Sequence, residues 1–277
     1  MKSTLSMPAE MYLDLLKQSL TGHLQEGMYR SVDPPRGSLA HLLYRPLHSV
    51  LRAGGFELVR NVTATQRHEG RDWPAQALTM GGRRRLDNLQ ACIADVIAGD
   101  VRGDLLEAGA WRGGASILMR AVLKTYGEVR RVVWVADSFR GLPKPDPARY
   151  PADADDRLWS RPQLAVSLEE VRANFERYGL LDDQVRFLPG WFAETLPRAP
   201  IEHLAVLRVD ADMYQSTLEA LEHLYPRLSV GGYAIIDDYG ALPNCRAAVD
   251  DFRTRHSIDQ ELVPIDWTGV FWKKTGD

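Results

Sequence analysis

The sequence predicts an α/β protein built on a mostly parallel sheet, and three observations carry that prediction. Short apolar runs recur at Leu105-Leu106, Val132–Ala136, Val185–Leu188, Leu204–Leu207 and Tyr233–Ile236. Stretches with helical spacing separate them, the alternation expected of parallel strands buried on both faces. The chain then ends in Leu262–Trp267 and Val270–Lys273 around Thr268-Gly269, which reads as a hairpin closing the sheet in the antiparallel sense.

The elements follow in order. Tyr12, Leu13, Leu15, Leu16 and Leu20 recur at helical spacing, glycine and proline break residues 22–37, and His41–Leu51 resumes an amphipathic pattern. These features predict a helical cap over residues 1–85, ahead of a main domain over 86–277. Its apolar helices suit a dimer contact. Leu86–Ile97 is a further helix, and the Arg83-Arg84-Arg85 run before it is expected to be a solvated flank. Ser116–Tyr126 is the helix after the first core strand. The proline- and aspartate-rich stretch Pro143–Pro162 is a long loop beside a strand end, where a lid would sit, and its Tyr150 and Trp159 are candidates to stack on a ring. Leu168–Tyr178 is amphipathic, and Gly190-Trp191-Phe192 is the turn after the strand Val185–Leu188. Spacing leaves Trp191 open between a core residue and a ligand neighbour.

Composition narrows the class of function. With 277 residues, 45% of them hydrophobic and 26% charged, the chain can bury one large core. A net charge of -3 argues against a nucleic-acid partner, since phosphate binding wants a basic face. Cys92 and Cys245 offer neither a disulfide framework nor zinc-ligand spacing, and Cys92 falls in the apolar pattern of its helix. No apolar run approaches the ~18 residues of a membrane span, and the start lacks a basic-then-apolar leader. A cytoplasmic protein is expected.

Chemistry concentrates at the ends of the apolar runs. Asp210 and Asp212 follow one strand and Asp237 and Asp238 the next, so four carboxylates meet at one sheet edge. They repel one another unless a cation or a shared proton neutralises them, and an all-oxygen set suits a hard divalent metal. Helix capping by Asp210 and Asp238 is the alternative that spacing leaves open. Upstream, Glu107-Ala108-Gly109-Ala110-Trp111-Arg112-Gly113-Gly114 turns from strand to helix through glycines that let a nucleoside approach the backbone. Asp137, ending the second strand, is suited to accept from both hydroxyls of a ribose. The turn lacks the G-x-G-x-x-G of a dinucleotide site, which disfavours a nicotinamide oxidoreductase. Its E-x-G-x-x-x-G-G spacing is that used where S-adenosylmethionine lies across the first strand.

These motifs, with Tyr12–Lys17, Asp72-Trp73-Pro74, Met80-Gly81, Arg85–Leu89, Asp137–Pro143, Asp210–Tyr214 and Asp237–Gly240, cover nearly the whole chain and resemble the macrocin O-methyltransferase family. Those enzymes methylate sugar hydroxyls on macrolides, aminocoumarins and related glycosylated natural products. The resemblance implies a class I methyltransferase fold: a seven-stranded, mostly parallel sheet with the antiparallel C-terminal hairpin. It implies S-adenosylmethionine as co-substrate, Mg2+ held by Asp210, Asp237 and Asp238, Asp212 as general base, and a small-molecule glycoside as acceptor. Glu107, Gly109, Trp111, Gly113, Asp137, Ser138, Gly190, Trp191, Phe192 and Met80 are implied to surround S-adenosylmethionine. A sugar hydroxyl has a high pKa, so its attack on a sulfonium methyl wants both a base and a coordinating cation. Related catechol methyltransferases are not expected to carry an acid two positions after the first metal-binding Asp. Asp212 therefore favours an aliphatic hydroxyl, with a catechol or phenol methyltransferase as runner-up. A non-catalytic adenosine-binding protein would be expected to lack the metal acids, and all four are present.

Overall fold

The parallel centre forms as the apolar runs dictate. A computed structural model describes residues 5–276 apart from 26, 28 and 33–38; the expected break over 22–37 thus lies partly outside the described residues. The N-terminal part contains α1 (Met7–Leu20), β1 (Tyr29–Ser31), α2 (Leu39–Ala53), β2 (Val59–Asn61), α3 (Ala64–Glu69) and α4 (Arg83–Ala98). Then come β3 (Asp104–Ala108), α5 (Gly114–Thr125), β4 (Val133–Asp137), α6 (Leu168–Arg177), β5 (Val185–Pro189) and α7 (Phe192–Thr195). The second half holds β6 (Leu204–Val209), α8 (Tyr214–Leu224), β7 (Leu228–Ile236), α9 (Pro243–Arg255), β8 (Val263–Pro264) and β9 (Val270–Lys273).

Seven strands pair in the order β5-β4-β3-β6-β7-β9-β8, parallel as far as β7 and antiparallel beyond it. β6 is buried along its whole length, as a central parallel strand must be. The chain winds outward from β3 to β5 and then returns to β6 on the other flank of β3. The connection therefore reverses between β3 and β6, the point at which open α/β sheets bind ligands beyond their strand ends. The hairpin is present, although β8 shrinks to two residues on the sheet edge, where Pro264 has no N–H to offer. A small antiparallel pair, β1 with β2, was not anticipated.

Residues of one parity along the strands, Leu105, Val133, Val135, Val206 and Ile235, share a core with α4 and α5; the other parity packs with Leu221 of α8 and Val249 and Phe252 of α9. Leu13, Leu16 and Leu20 of α1 join the first core beside Leu86 and Leu89. Cys92 is buried there, and burial pushes its thiol up to about 12. No described helix is long and apolar enough to cross a membrane.

The arginine run departs from expectation. Only Arg84 is exposed. Arg83 bridges α1 and α4 through Asp14 and Asp87, and Arg85 is buried. The cause is helical phase: Arg85 lies on the face of Leu86, Leu89 and Ile93, so it points at the sheet, where carboxylates compensate its charge.

Candidate active site

Backbone hydrogen bonds lace the strand ends together at the switch point. The Gly109 N–H donates to the Ala136 carbonyl (2.8 Å), Asp210 N–H to Ala108 (2.8 Å), and Asp237 N–H to Val209 (3.0 Å). Asp137, Gly109, Asp210 and Asp237 consequently form one row. Gly109 adopts φ 91°, and a Cβ there would lie 1.8 Å from the Asp210 carbonyl oxygen, so a side chain cannot be accommodated.

Register decides which charges meet. Glu107 of β3 stands opposite Arg208 of β6, and both share the face of Asp210 and Asp237, over which α4 lies. Arg208 donates to Glu107, to Asp210 (2.9 Å) and to Asp237, while Arg85 descends from α4 to pair with Asp237 and Asp266 (3.1 Å). Arg85 also donates to the Gly70 carbonyl (3.1 Å), tying the segment after α3 to the site. Burial raises Asp237, but Arg208 and Arg85 prevail and hold it below the ordinary carboxylate value. Burial lifts Asp210, with Asp237 adding to the rise, and lifts Asp238 well above its usual value, with Asp210 and Asp212 adding. Asp212 is pushed up to about 8, by burial first and then by Asp210 and Asp156. The carboxylates outnumber the two guanidiniums, and the deficit falls on these three.

Oxygen atoms of Asp210, Asp237 and Asp238 lie within 4.8 Å of one another. One Asp238 oxygen, Oδ2, is buried without a hydrogen-bond partner. An unsatisfied buried carboxylate oxygen facing an all-oxygen cluster fits a hard divalent cation, which would satisfy the atom and the charge together.

Asp212 itself sits on a strained backbone. Its φ is 58°, and across it the Met213 N–H donates to the Ala211 carbonyl at 2.6 Å, a three-residue γ-turn. Trp111 (φ 48°) is also left-handed, so two such residues line one cavity; Phe139 (φ 54°), left-handed as well, is buried in the core beside it.

That cavity, about 890 Å³, is walled by nearly every residue singled out in the sequence: Met80, Glu107, Gly109, Trp111, Asp137, Ser138, Gly190, Trp191, Phe192, Asp210, Asp212, Asp237 and Asp238. Gly113 is not among them. It caps α5 at φ 84° and packs against Val171 and Phe175 of α6. Tyr150 and Trp159 also lie outside the lining; the loop contributes Pro143, Lys144 and Leu158 instead, with Leu164 just beyond it.

The two acids expected to meet the nucleoside are already partly engaged. Both oxygens of Glu107 are hydrogen-bonded, to Arg208 and to the Ser116 hydroxyl, and burial raises its pKa to about 7 against those two partners. Asp137 accepts from the N–H groups of Ala110 (2.7 Å), Trp111 (3.3 Å) and Phe139 (2.7 Å). It therefore braces the glycine-rich turn and retains room for little more than one further donor. Replacing Asp137 with Ala is expected to weaken binding of S-adenosylmethionine by about 1.5–3 kcal/mol, the range for hydrogen bonds to a charged group. Calorimetry checks this, and unchanged affinity in a folded variant would remove Asp137 from the donor site.

Arg85 and Arg208, the buried charges that pair with the site's carboxylates, are what pattern reading passed over. The signal for Arg208 is a charge inside an otherwise apolar buried strand, and that for Arg85 is a charge on the apolar stripe of α4. The aromatic wall made by Trp73 and Trp267 left no such trace. Trp267 reaches it from the far end of the chain, donating to the Glu69 carbonyl (2.8 Å) with the Arg71 guanidinium 4.4 Å over its ring.

Known proteins place the chain in a family. The family described as macrocin-O-methyltransferase (TylF) matches residues 9–274. The chain is 51% identical over 269 residues to the 8-demethyl-8-(2,3-dimethoxy-alpha-L-rhamnosyl)-tetracenomycin-C 4'-O-methyltransferase of Streptomyces olivaceus, covering 96% of this chain and 93% of the relative. It is 45% identical over 273 residues to the mycinamicin III 3''-O-methyltransferase of Micromonospora griseorubida, covering 98% of each. The solved structure of the O-methyltransferase NovP superposes with a TM-score of 0.83 at 46% identity, covering 97% of this chain and 100% of that one. The chain belongs to the macrocin-O-methyltransferase family and is an S-adenosylmethionine-dependent O-methyltransferase.

Proposed function

We propose that this enzyme methylates a sugar hydroxyl of a glycosylated natural product, with Mg2+ held by Asp210, Asp237 and Asp238 and with Asp212 as general base. The observation that carries the reading is the fourth acid, Asp212, beside an all-oxygen triad in the same cavity. When bound, Mg2+ supplies the positive charge that lowers the pKa of an alcohol. Asp212 takes the proton as the hydroxyl oxygen attacks the methyl carbon; the new O–CH3 bond forms as the S–CH3 bond breaks, and S-adenosylhomocysteine leaves. Gly109, Asp137, Ser138 and Trp191 hold the donor across the β3 end, which aligns sulfur, methyl and acceptor oxygen. Arg208 and Arg85 keep Asp237 ionised and fixed. The names of the relatives support the acceptor class: a rhamnosyl tetracenomycin and mycinamicin III. Residues 1–85 act as the cap of the site, since Gln66, Arg71, Asp72, Trp73 and Met80 belong to the cavity wall.

Incubating the protein with S-adenosylmethionine, Mg2+ and matched acceptors tests the class. Methyl transfer to the sugar of a rhamnosylated aromatic glycoside, located by NMR, is expected. Transfer to a catechol with none to the glycoside would overturn it.

A second copy of the chain covers α2 in this reading. Leu42 (64% exposed), Leu43 (70%), Leu47 (51%) and Val50 (71%) form an apolar stripe, and no residue of α2 whose side chain is described is buried. A helix with this patterning needs its apolar side covered. Met11, Tyr12 and Leu15 of α1 add further exposed apolar surface. Light scattering is expected to give twice the chain mass, and a Leu43→Glu/Val50→Glu variant to give the monomer.

A further inference from the structure

The start of α8 lacks a cap of its own. A helix leaves its first N–H groups unpaired, and a Ser, Thr, Asp or Asn at the N-cap normally accepts from one of them. Here the N-cap is Met213, which has no such acceptor, and the residue before it is Asp212 in its γ-turn. The acceptor comes instead from Asp153, 61 residues upstream in the long loop after β4. Its side chain is fully buried. Oδ1 accepts from the Tyr214 N–H (2.8 Å) and from Asn244 Nδ2 of α9 (3.0 Å), and Oδ2 accepts from the Gln215 N–H (2.9 Å).

Asp153 is thereby joined to both halves of the acceptor site. On one side it holds the two residues that follow the Asp212 turn. On the other it is the buried anchor of the segment whose Pro143, Lys144, Leu158 and Leu164 wall the cavity. We propose that Asp153 is a positioning residue for methyl transfer: by capping α8 from the loop, it makes the closed loop and the aim of Asp212 a single coupled state. This rests on Asp212 as the base. Asp210 and Asp237 hang on β6, β7 and the two buried arginines, so these two members of the metal triad are held independently of Asp153.

The test combines exchange, binding and rate on the full-length enzyme with Mg2+. In Asp153→Asn, which keeps the shape of the side chain but one acceptor oxygen, amide exchange is expected to accelerate at Tyr214, Gln215 and residues 150–160 while the β6 and β7 amides stay protected. The single-turnover rate is expected to fall about 10- to 100-fold in Asp153→Ala, the scale of a small misplacement at a reacting centre, and less in Asp153→Asn. Titrations with Mg2+ and with S-adenosylmethionine should match the parent. Asp153→Ala added to Asp212→Asn should cost little beyond Asp212→Asn alone, because the two act through one group. Should Asp153→Ala fail to fold, Asp153→Asn carries each readout. A lowered melting temperature with an unchanged rate would overturn the proposal, as would a parallel loss of Mg2+ affinity or losses that multiply in the double variant. If Asp212→Asn keeps the parental rate, the base assignment falls and takes this coupling with it; if Asp212→Asn is slow and the losses multiply, Asp153 alone is wrong.

Discussion

Removal of divalent metal with a chelator is expected to abolish turnover, with full recovery on adding Mg2+. The reason is electrostatic. In the proposed site, the three carboxylates at one strand edge would hold a cation that lowers the pKa of the acceptor hydroxyl, an effect worth several kcal/mol of barrier, and ~3 kcal/mol already corresponds to a loss of ~10²-fold. Binding of S-adenosylmethionine should survive the chelator, since its sulfonium needs no metal and the groups proposed to hold it, Gly109, Asp137 and Trp191, lie along the β3 and β4 ends and the turn after β5. Calorimetry with and without chelator separates the two steps. Full activity in excess chelator would end the metal assignment. Zinc should restore activity poorly, because the oxygen triad includes neither histidine nor cysteine.

Asp212→Asn is expected to cut the methyl-transfer rate by ~10²-fold or more while leaving Mg2+ and donor affinity near the parent values, the signature of a lost general base. Asn is the informative replacement because it tolerates the left-handed backbone that Asp212 adopts at φ 58°, so the turn is kept and only the proton acceptor is removed. Asp210→Asn should differ by weakening Mg2+. Single-turnover rates on a glycoside, set beside metal titrations, decide between them. Two variants indistinguishable in metal binding, or a fast Asp212→Asn, would return the proton to a histidine or to solvent.

Much of this was legible in the chain because it is local. A parallel strand advertises itself as an apolar run, and an acid or glycine immediately after the run lies at the strand end wherever the strand goes. Glu107, Gly109, Asp137, Asp210 and Asp237 were identified in that way. Gly113 shows the limit of the same reasoning: it belongs to the glycine-rich turn, yet its backbone is used to seat α5 against α6 rather than to line the cavity.

The sequence by itself determined the sheet, its antiparallel ending, the family and the set of acids proposed to carry the chemistry, since each depends on residues a few positions apart. Only the tertiary structure decided how those acids are kept together without mutual expulsion. Arg208 meets Glu107 through the pairing of β3 with β6, Arg85 meets Asp237 across 152 residues, and Asp153 caps a helix 61 residues downstream. Such partners are set by strand register and helix phase, and spacing along the chain carries no record of them. A buried charge must nevertheless find its counter-charge or lose several kcal/mol, and the fold is where that requirement is met.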